Sequence, residues 1–145
     1  MKFWTQMLMS GFLWAVWGAV HGAPLLPNAD WLAYKTNFIS PEGRVIDTGN
    51  QQISHSEGQG SGMLLALAAE DLATFESIWS WTQKNLQRED KLFGWRWNPN
   101  SSPPVQDWNN ATDGDLLIAW ALARAGVRWK RPEWVNEARS IAERV

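Results

Sequence analysis

Ala111-Thr112-Asp113-Gly114-Asp115-Leu116-Leu117-Ile118-Ala119-Trp120-Ala121-Leu122 is the stretch on which the fold turns. Its polar head carries two acids, and the chain then runs apolar to Ala123. A helix that is apolar around most of its girth has to be covered on several sides. The same design occurs earlier. Ser56-Glu57-Gly58-Gln59-Gly60-Ser61-Gly62 leads into Met63-Leu64-Leu65-Ala66-Leu67-Ala68-Ala69. Two buried helices are expected, Gly58 to Ala69 and Asp115 to Ala125, the second stopped by Gly126. Each has acids at its N-terminal end.

Working outward, the remaining segments are helices and loops, with no strands of note. Asn28 to Phe38 carries Trp31, Leu32, Tyr34 and Phe38, and reads as a short helix with Asn28 or Asp30 as N-cap. Ile39 to His55 is a polar loop with an extended stretch near Val45-Ile46. Asp71 caps a helix from Leu72 to Asn85, with Leu72, Phe75, Ile78, Trp79 and Thr82 on one face. Gln87 to Thr112 is a long loop rich in Asn, Pro, Ser and Trp, and a loop of that length is usually functional or disordered. Pro132 suits a first helical turn, and a last amphipathic helix runs from Glu133 to Val145. The fold class is therefore all-α, built from paired helices. Five helices do not supply neighbours on every side of two all-apolar ones, so the chain reads as part of a larger helical assembly.

The chain has 145 residues, the length of one domain, with 13 Lys plus Arg, 15 Asp plus Glu and a net charge of −2. So balanced a charge argues against nucleic acid as a partner. The absence of cysteine excludes disulfides, thiolate zinc sites and thiol nucleophiles. His21 and His55 are the only histidines, which rules out a three-His metal site. The outlier is tryptophan, with 12 residues against 1 tyrosine and 5 phenylalanines.

Residues 1–22 have the three parts of an export signal. Lys2 is followed by an apolar run from Met7 to Val20, and small residues at Gly22 and Ala23 precede Pro24. The run is short for a membrane span, which needs about 20 apolar residues. Cleavage near Gly22 or Ala23 is expected, leaving a mature domain over 23–145 with no stable membrane span, in the periplasm or outside the cell.

Two chemistries compete at the acids. Glu57, Asp113 and Asp115 could be first-turn charges or caps, which suit a helix N-terminus. Alternatively they are catalytic: burial of Glu57 against Met63 would raise its pKa and make it a general acid. Leu116, Leu117 and Ile118 cannot continue a calcium loop after Asp113-Gly114-Asp115. Parallel inner helices would bring both acid ends to one face, with Trp95, Trp97 and Trp108 on the loop between them. Indoles stack on sugar rings and carboxylates move protons, so this constellation suits a sugar-cleaving cleft. Trp79, Trp120 and Trp129 are assigned to the core.

These same stretches resemble the signature of glycoside hydrolase family 8. The resemblance rests on Ala111 to Leu122 with Trp129, on Ser56 to Gly60 with Gly62 to Ala66, on Ser40-Pro41-Glu42-Gly43-Arg44-Val45-Ile46-Asp47, and on Gly94-Trp95-Arg96-Trp97. It is most similar to the bacterial endoglucanases encoded with cellulose synthase. The resemblance implies an (α/α)6 barrel, incomplete in this chain, and endo-hydrolysis of β-1,4-glucan with inversion. It implies Glu57 as general acid and Asp113 as second active-site carboxylate, with a base beyond Val145. Trp95, Trp97, Asp115 and Gln59 would bind substrate, with no metal and no other cofactor. Partners would be the glucan and the cellulose-synthesis machinery. Ser61 departs from the family's usual tyrosine. The rival readings are a non-catalytic glucan-binding module and an inactive remnant tied to cellulose export. A lyase of similar fold is disfavoured by the single Tyr34 and the lone mature-chain His55.

Overall fold

The computed structural model describes residues 25–145, so the export signal at 1–22 and its cleavage point lie outside the described residues. Five helices and two short strands follow in order: α1 (Asn28–Phe38), β1 (Ser54–His55), α2 (Ser56–Ala68), α3 (Leu72–Leu86), β2 (Arg96–Trp97), α4 (Thr112–Arg128) and α5 (Pro132–Ala142). The segments expected to be helical are helical, within a few residues at their ends.

The architecture is two antiparallel helical hairpins, α2–α3 and α4–α5, joined side by side through α2 and α4. Both hairpins turn the same way. In the first, Glu70 takes a left-handed φ of 58° and the Asp71 amide donates to the Ala66 carbonyl at 2.9 Å. In the second, Lys130 takes φ 56° and the Arg131 amide donates to the Gly126 carbonyl at 2.8 Å. An Arg128–Glu70 ion pair of 2.8 Å links the two turns. Between the hairpins lies one core, in which Met63, Phe75, Ile78, Ile118, Leu122 and Ile141 are fully buried. Phe75 of α3 reaches across to Trp129 and Trp134, with ring centroids at 5.2 and 5.0 Å.

Several local expectations are corrected. Gly126 does not stop α4, which continues to Arg128. A Cβ at Gly126 would meet the Val135 amide at 3.0 Å and the Arg131 carbonyl at 2.8 Å, so glycine serves the close approach of α5 instead. The last helix ends at Ala142 rather than Val145. Neither Asn28 nor Asp30 caps α1, which starts after Pro27, and no side chain caps α4, whose N-cap is Ala111. The loops are not free of strand: β1 and β2 pair antiparallel, with Ser54 opposite Trp97 and His55 opposite Arg96. Trp120 is not core. It is 52% exposed, on a stripe of α4 shared with Leu116 and Val127 that neither α2 nor α5 covers, and the Arg124 guanidinium lies 5.6 Å from its ring centre. Trp79 is buried as expected, and Trp129 packs half-buried against the core.

The cap at Asp71 is borne out. Its carboxylate accepts from the Thr74 amide at 3.0 Å and the Thr74 hydroxyl at 2.7 Å, and also from Lys35 at 2.9 Å and the Trp31 indole at 3.1 Å. Burial pushes this carboxyl up, but the four donors outweigh it and leave its pKa at about 2. A carboxyl whose pKa falls on folding contributes stability above its unfolded pKa, and that contribution fades as pH drops towards the folded value. Asp71→Asn is therefore expected to lower the melting temperature at pH 7 and to converge with the parent between about pH 4 and pH 2. Thermal melts across that range check it, and a gap that persists at pH 2 would contradict the assignment.

Candidate active site

Two glycines set the geometry of the site. A Cβ on Gly60 of α2 would sit 2.7 Å from the Leu117 Cβ and 2.9 Å from the Ile118 amide of α4. A Cβ on Gly114 of α4 would sit 2.8 Å from the Ser56 Cβ and 2.9 Å from the Glu57 amide of α2. Ser56 thus lies against Gly114, and Gly60 lies against Leu117-Ile118. Both partners advance in the same direction, so α2 and α4 run parallel with their N-termini side by side. Glu57 is the second residue of α2 and Asp113 the second of α4. The structure brings these two acids to one end of the fold, and both are exposed there.

Their immediate surroundings differ from expectation in two ways. Glu57 is not buried against Met63, which is fully enclosed while Glu57 faces outward. The step of six positions from one to the other turns the helix through about 240° beyond a full revolution, so the two occupy different faces. Asp113 does not cap α4; among the described residues its Oδ1 accepts only from the adjacent Gly114 amide, at 2.8 Å. Ser61, one turn after Glu57, is half-buried.

Gln59 and Asp115, expected to bind substrate, are instead enclosed by the fold. Gln59 is fully buried. Its Oε1 accepts from the Val45 amide at 2.6 Å, and its Nε2 donates to the Thr82 hydroxyl at 2.7 Å and the Gly43 carbonyl at 3.3 Å. That amide is occupied in stitching the 40–55 loop to α2 and α3, and no face of it is open to a ligand. Asp115 is likewise fully buried. Its carboxylate accepts from the Phe93 amide at 3.0 Å and the Asn110 side chain at 2.7 Å. Burial pushes its pKa up, against the pull of those bonds and of Arg88. Arg88 in turn donates to the Trp108 carbonyl at 2.9 Å. Asp115 therefore anchors both ends of the aromatic loop to the start of α4.

That loop comes directly beside the acids. The Ser56 amide donates to the Trp95 carbonyl at 3.1 Å, and the Trp95 amide donates to the Asn109 carbonyl at 2.9 Å. The half-buried Trp95 indole stacks on His55 with centroids 6.2 Å apart and planes at 5°, and its Nε1 donates to Asp107 at 2.9 Å. Trp97 is half-buried between the Arg44 guanidinium, 4.8 Å from its ring, and the edge of Trp81 at 5.5 Å. Trp108 is 49% exposed. A cleft of about 270 Å³ flanks α2's first turn, lined in part by Tyr34, Asp47, Thr48 and His55. A cavity of about 330 Å³ beside Leu64, Leu67 and Trp120 lies towards the other end of these helices, away from the acids.

Sequence reasoning did not place His55, Arg96 and Asp107 around Trp95, where the structure puts them. His55 was legible as the neighbour of Glu57. Asp107 becomes visible only once Trp95 is known to fold back on it. Among the described residues no three His, Asp or Glu side chains gather as a metal site, and no helix is long and apolar enough to cross a membrane.

Two helical hairpins side by side, with exposed carboxylates and an indole-bearing loop gathered at one end, define the class of fold to which the chain is compared. The model of "Glycosyl hydrolases family 8" matches residues 1–145, and the chain belongs to that family. A probable endoglucanase of Novacetimonas hansenii is 53% identical over 120 residues, covering 82% of this chain and 35% of that protein. Among solved structures, the family 8 endoglucanase Cel10 of Klebsiella pneumoniae superposes with a TM-score of 0.79 at 44% identity, covering 81% of this chain and 38% of that one. The endo-β-1,4-glucanase CMCax of Acetobacter xylinum gives a TM-score of 0.77 at 53% identity, covering 82% and 38%. The chain thus spans little more than a third of the length of these relatives.

Proposed function

We propose that this chain is the acid-bearing part of an endo-acting β-1,4-glucan hydrolase that inverts the anomeric centre. The observation that carries this reading is the side-by-side placement of Glu57 and Asp113 on parallel helix ends, with Trp95 hydrogen-bonded in beside them. In the proposed reaction the Glu57 carboxyl protonates the departing glycosidic oxygen. Asp113 holds the sugar at the cleavage point through its hydroxyls and favours the distorted ring. An inverting mechanism also needs a base that activates water on the opposite face, roughly 6.5–9.5 Å from the acid. We assign that base to the part of the family's length that this chain does not span. Trp95 and Trp97 offer ring faces to the glucan, and the two hairpins form an arc of an (α/α)6 barrel. Residues 1–22 direct export, and association with a cellulose-synthesis machinery fits a periplasmic glucanase.

The test is product analysis with the intact protein on carboxymethylcellulose and cello-oligosaccharides. Viscosity is expected to fall well before reducing ends accumulate, and proton NMR should show the α-anomer as the first product. Release of short sugars without loss of viscosity would overturn endo action, and a first-formed β-anomer would overturn inversion. The exported protein should begin close to Ala23 by mass spectrometry, and retention of Met1 would refute the signal.

A further inference from the structure

Arg96 is a half-buried cation whose donors go unused. Its Nε is enclosed by protein and has no hydrogen-bond partner among the described residues. The guanidinium forms no ion pair or hydrogen bond with another described residue; its one contact of note is the Trp95 ring, 5.7 Å away. Buried donors in folded proteins are nearly always partnered, and leaving one without a partner costs free energy. The partner is therefore to be sought in what occupies the neighbouring space. Arg96 lines a cavity of about 180 Å³ within the aromatic loop, together with Trp95, Asn98, Pro104, Gln106 and Asp107.

The lining says what chemistry fits. The Asn98 side-chain amide nitrogen and the whole Gln106 side chain form no hydrogen bond among the described residues, while Asn98 Oδ1 accepts from the Asn100 amide at 2.9 Å. These groups add neutral donors and an acceptor to the guanidinium. Asp107 supplies an acceptor carboxylate, fixed by the Asn109 amide and the Trp95 indole, each at 2.9 Å. Its negative charge disfavours an anionic ligand. An indole beside mixed donors and acceptors suits a neutral ring bearing several hydroxyls, each of which both donates and accepts. The Trp95 carbonyl accepts from the Ser56 amide at 3.1 Å, so the loop that carries the cavity is tied to the end of the fold that carries Glu57.

We infer that this loop cavity is a glucosyl-binding subsite in which Arg96 donates hydrogen bonds to the hydroxyls of one sugar ring. The inference rests on the glucanase reading above and adds a residue that determines how long a glucan the site holds. The test uses the intact protein carrying Glu57→Gln, so that bound sugar survives, and measures calorimetric affinity for cellotriose through cellohexaose. In that parent, affinity should step up at the length that reaches the cavity. Arg96→Met should remove that step, roughly tenfold, and leave shorter sugars unaffected. Arg96→Lys, with a compact charge in place of the planar fork, should restore only part of it. If Arg96→Met proves unfolded by circular dichroism, Gln106→Ala decides, since Gln106 is exposed and outside the strand pair. A step unchanged in the folded variant overturns the inference while the glucanase reading stands. Equal loss at every length makes Arg96 structural and also overturns it. A parent that binds no cello-oligosaccharide removes both readings together.

Discussion

Glu57→Gln in the intact protein is expected to lower the release of reducing ends from carboxymethylcellulose by roughly 10²–10⁴-fold, the usual worth of a positioned general acid. The amide has the shape of the carboxyl but carries no proton that it can give to a leaving alkoxide. Structural damage does not account for so large a loss here. Glu57 is exposed, takes part in no salt bridge among the described residues, and sits where helix geometry is fixed by Gly60 and Gly114 rather than by its own side chain. The melting temperature should therefore stay within a degree or two of the parent, and cello-oligosaccharide binding should persist. A cellobioside with a dinitrophenyl leaving group, which departs without protonation, should recover much of the rate. Activity on carboxymethylcellulose that survived the substitution would place the acid on another residue.

Gly114→Ala should damage both stability and catalysis, from a single methyl group. Its Cβ would press on the Ser56 Cβ at 2.8 Å and on the Glu57 amide at 2.9 Å, and neither atom can swing aside as a side-chain tip can. The helices must separate at the end where the acids stand. Overpacking of this kind costs about 1–3 kcal/mol, or several degrees of melting temperature. The catalytic loss should be larger than the stability loss suggests, because a shift of about 1 Å between reacting groups can cost on the order of 10²-fold. Gly49→Ala is the control: its Cβ would meet only the Asp47 carboxylate, at an ordinary 3.5 Å. A Gly114→Ala protein that melts and works like the Gly49→Ala protein would show that the seam between α2 and α4 is looser than its geometry indicates.

What the sequence made legible was periodic or short-range. The apolar runs after Gly62 and Asp115 give α2 and α4 directly, and the Asp71 cap follows from its position before Leu72. The pairing of Glu57 with Asp113 was also legible, because two helices of like design with acids at like ends have few ways to pack. Burial of polar side chains was not legible. Gln59 and Asp115 each stand two residues from an exposed acid, yet about 200° of helix rotates them inward, where loop amides consume their hydrogen-bonding capacity. Their partners, Val45 and Phe93, lie 14 and 22 residues away and carry no signal in their own side-chain type. Trp120 failed for the complementary reason. Its apolar surroundings along the helix say that the stripe is covered, but they do not name the cover.

The glycine seam has a mechanical consequence. Where long side chains hold two helices apart, the gap can breathe as rotamers hop, and it widens with heat. Here Cα and Cβ atoms of one helix bear directly on the backbone of the other, and main-chain contacts have little slack to give up. The interval between the two acids therefore behaves as a rigid gauge. The aromatic loop hangs from that gauge at Ser56 and Asp115, so its position is referred to the same fixed interval.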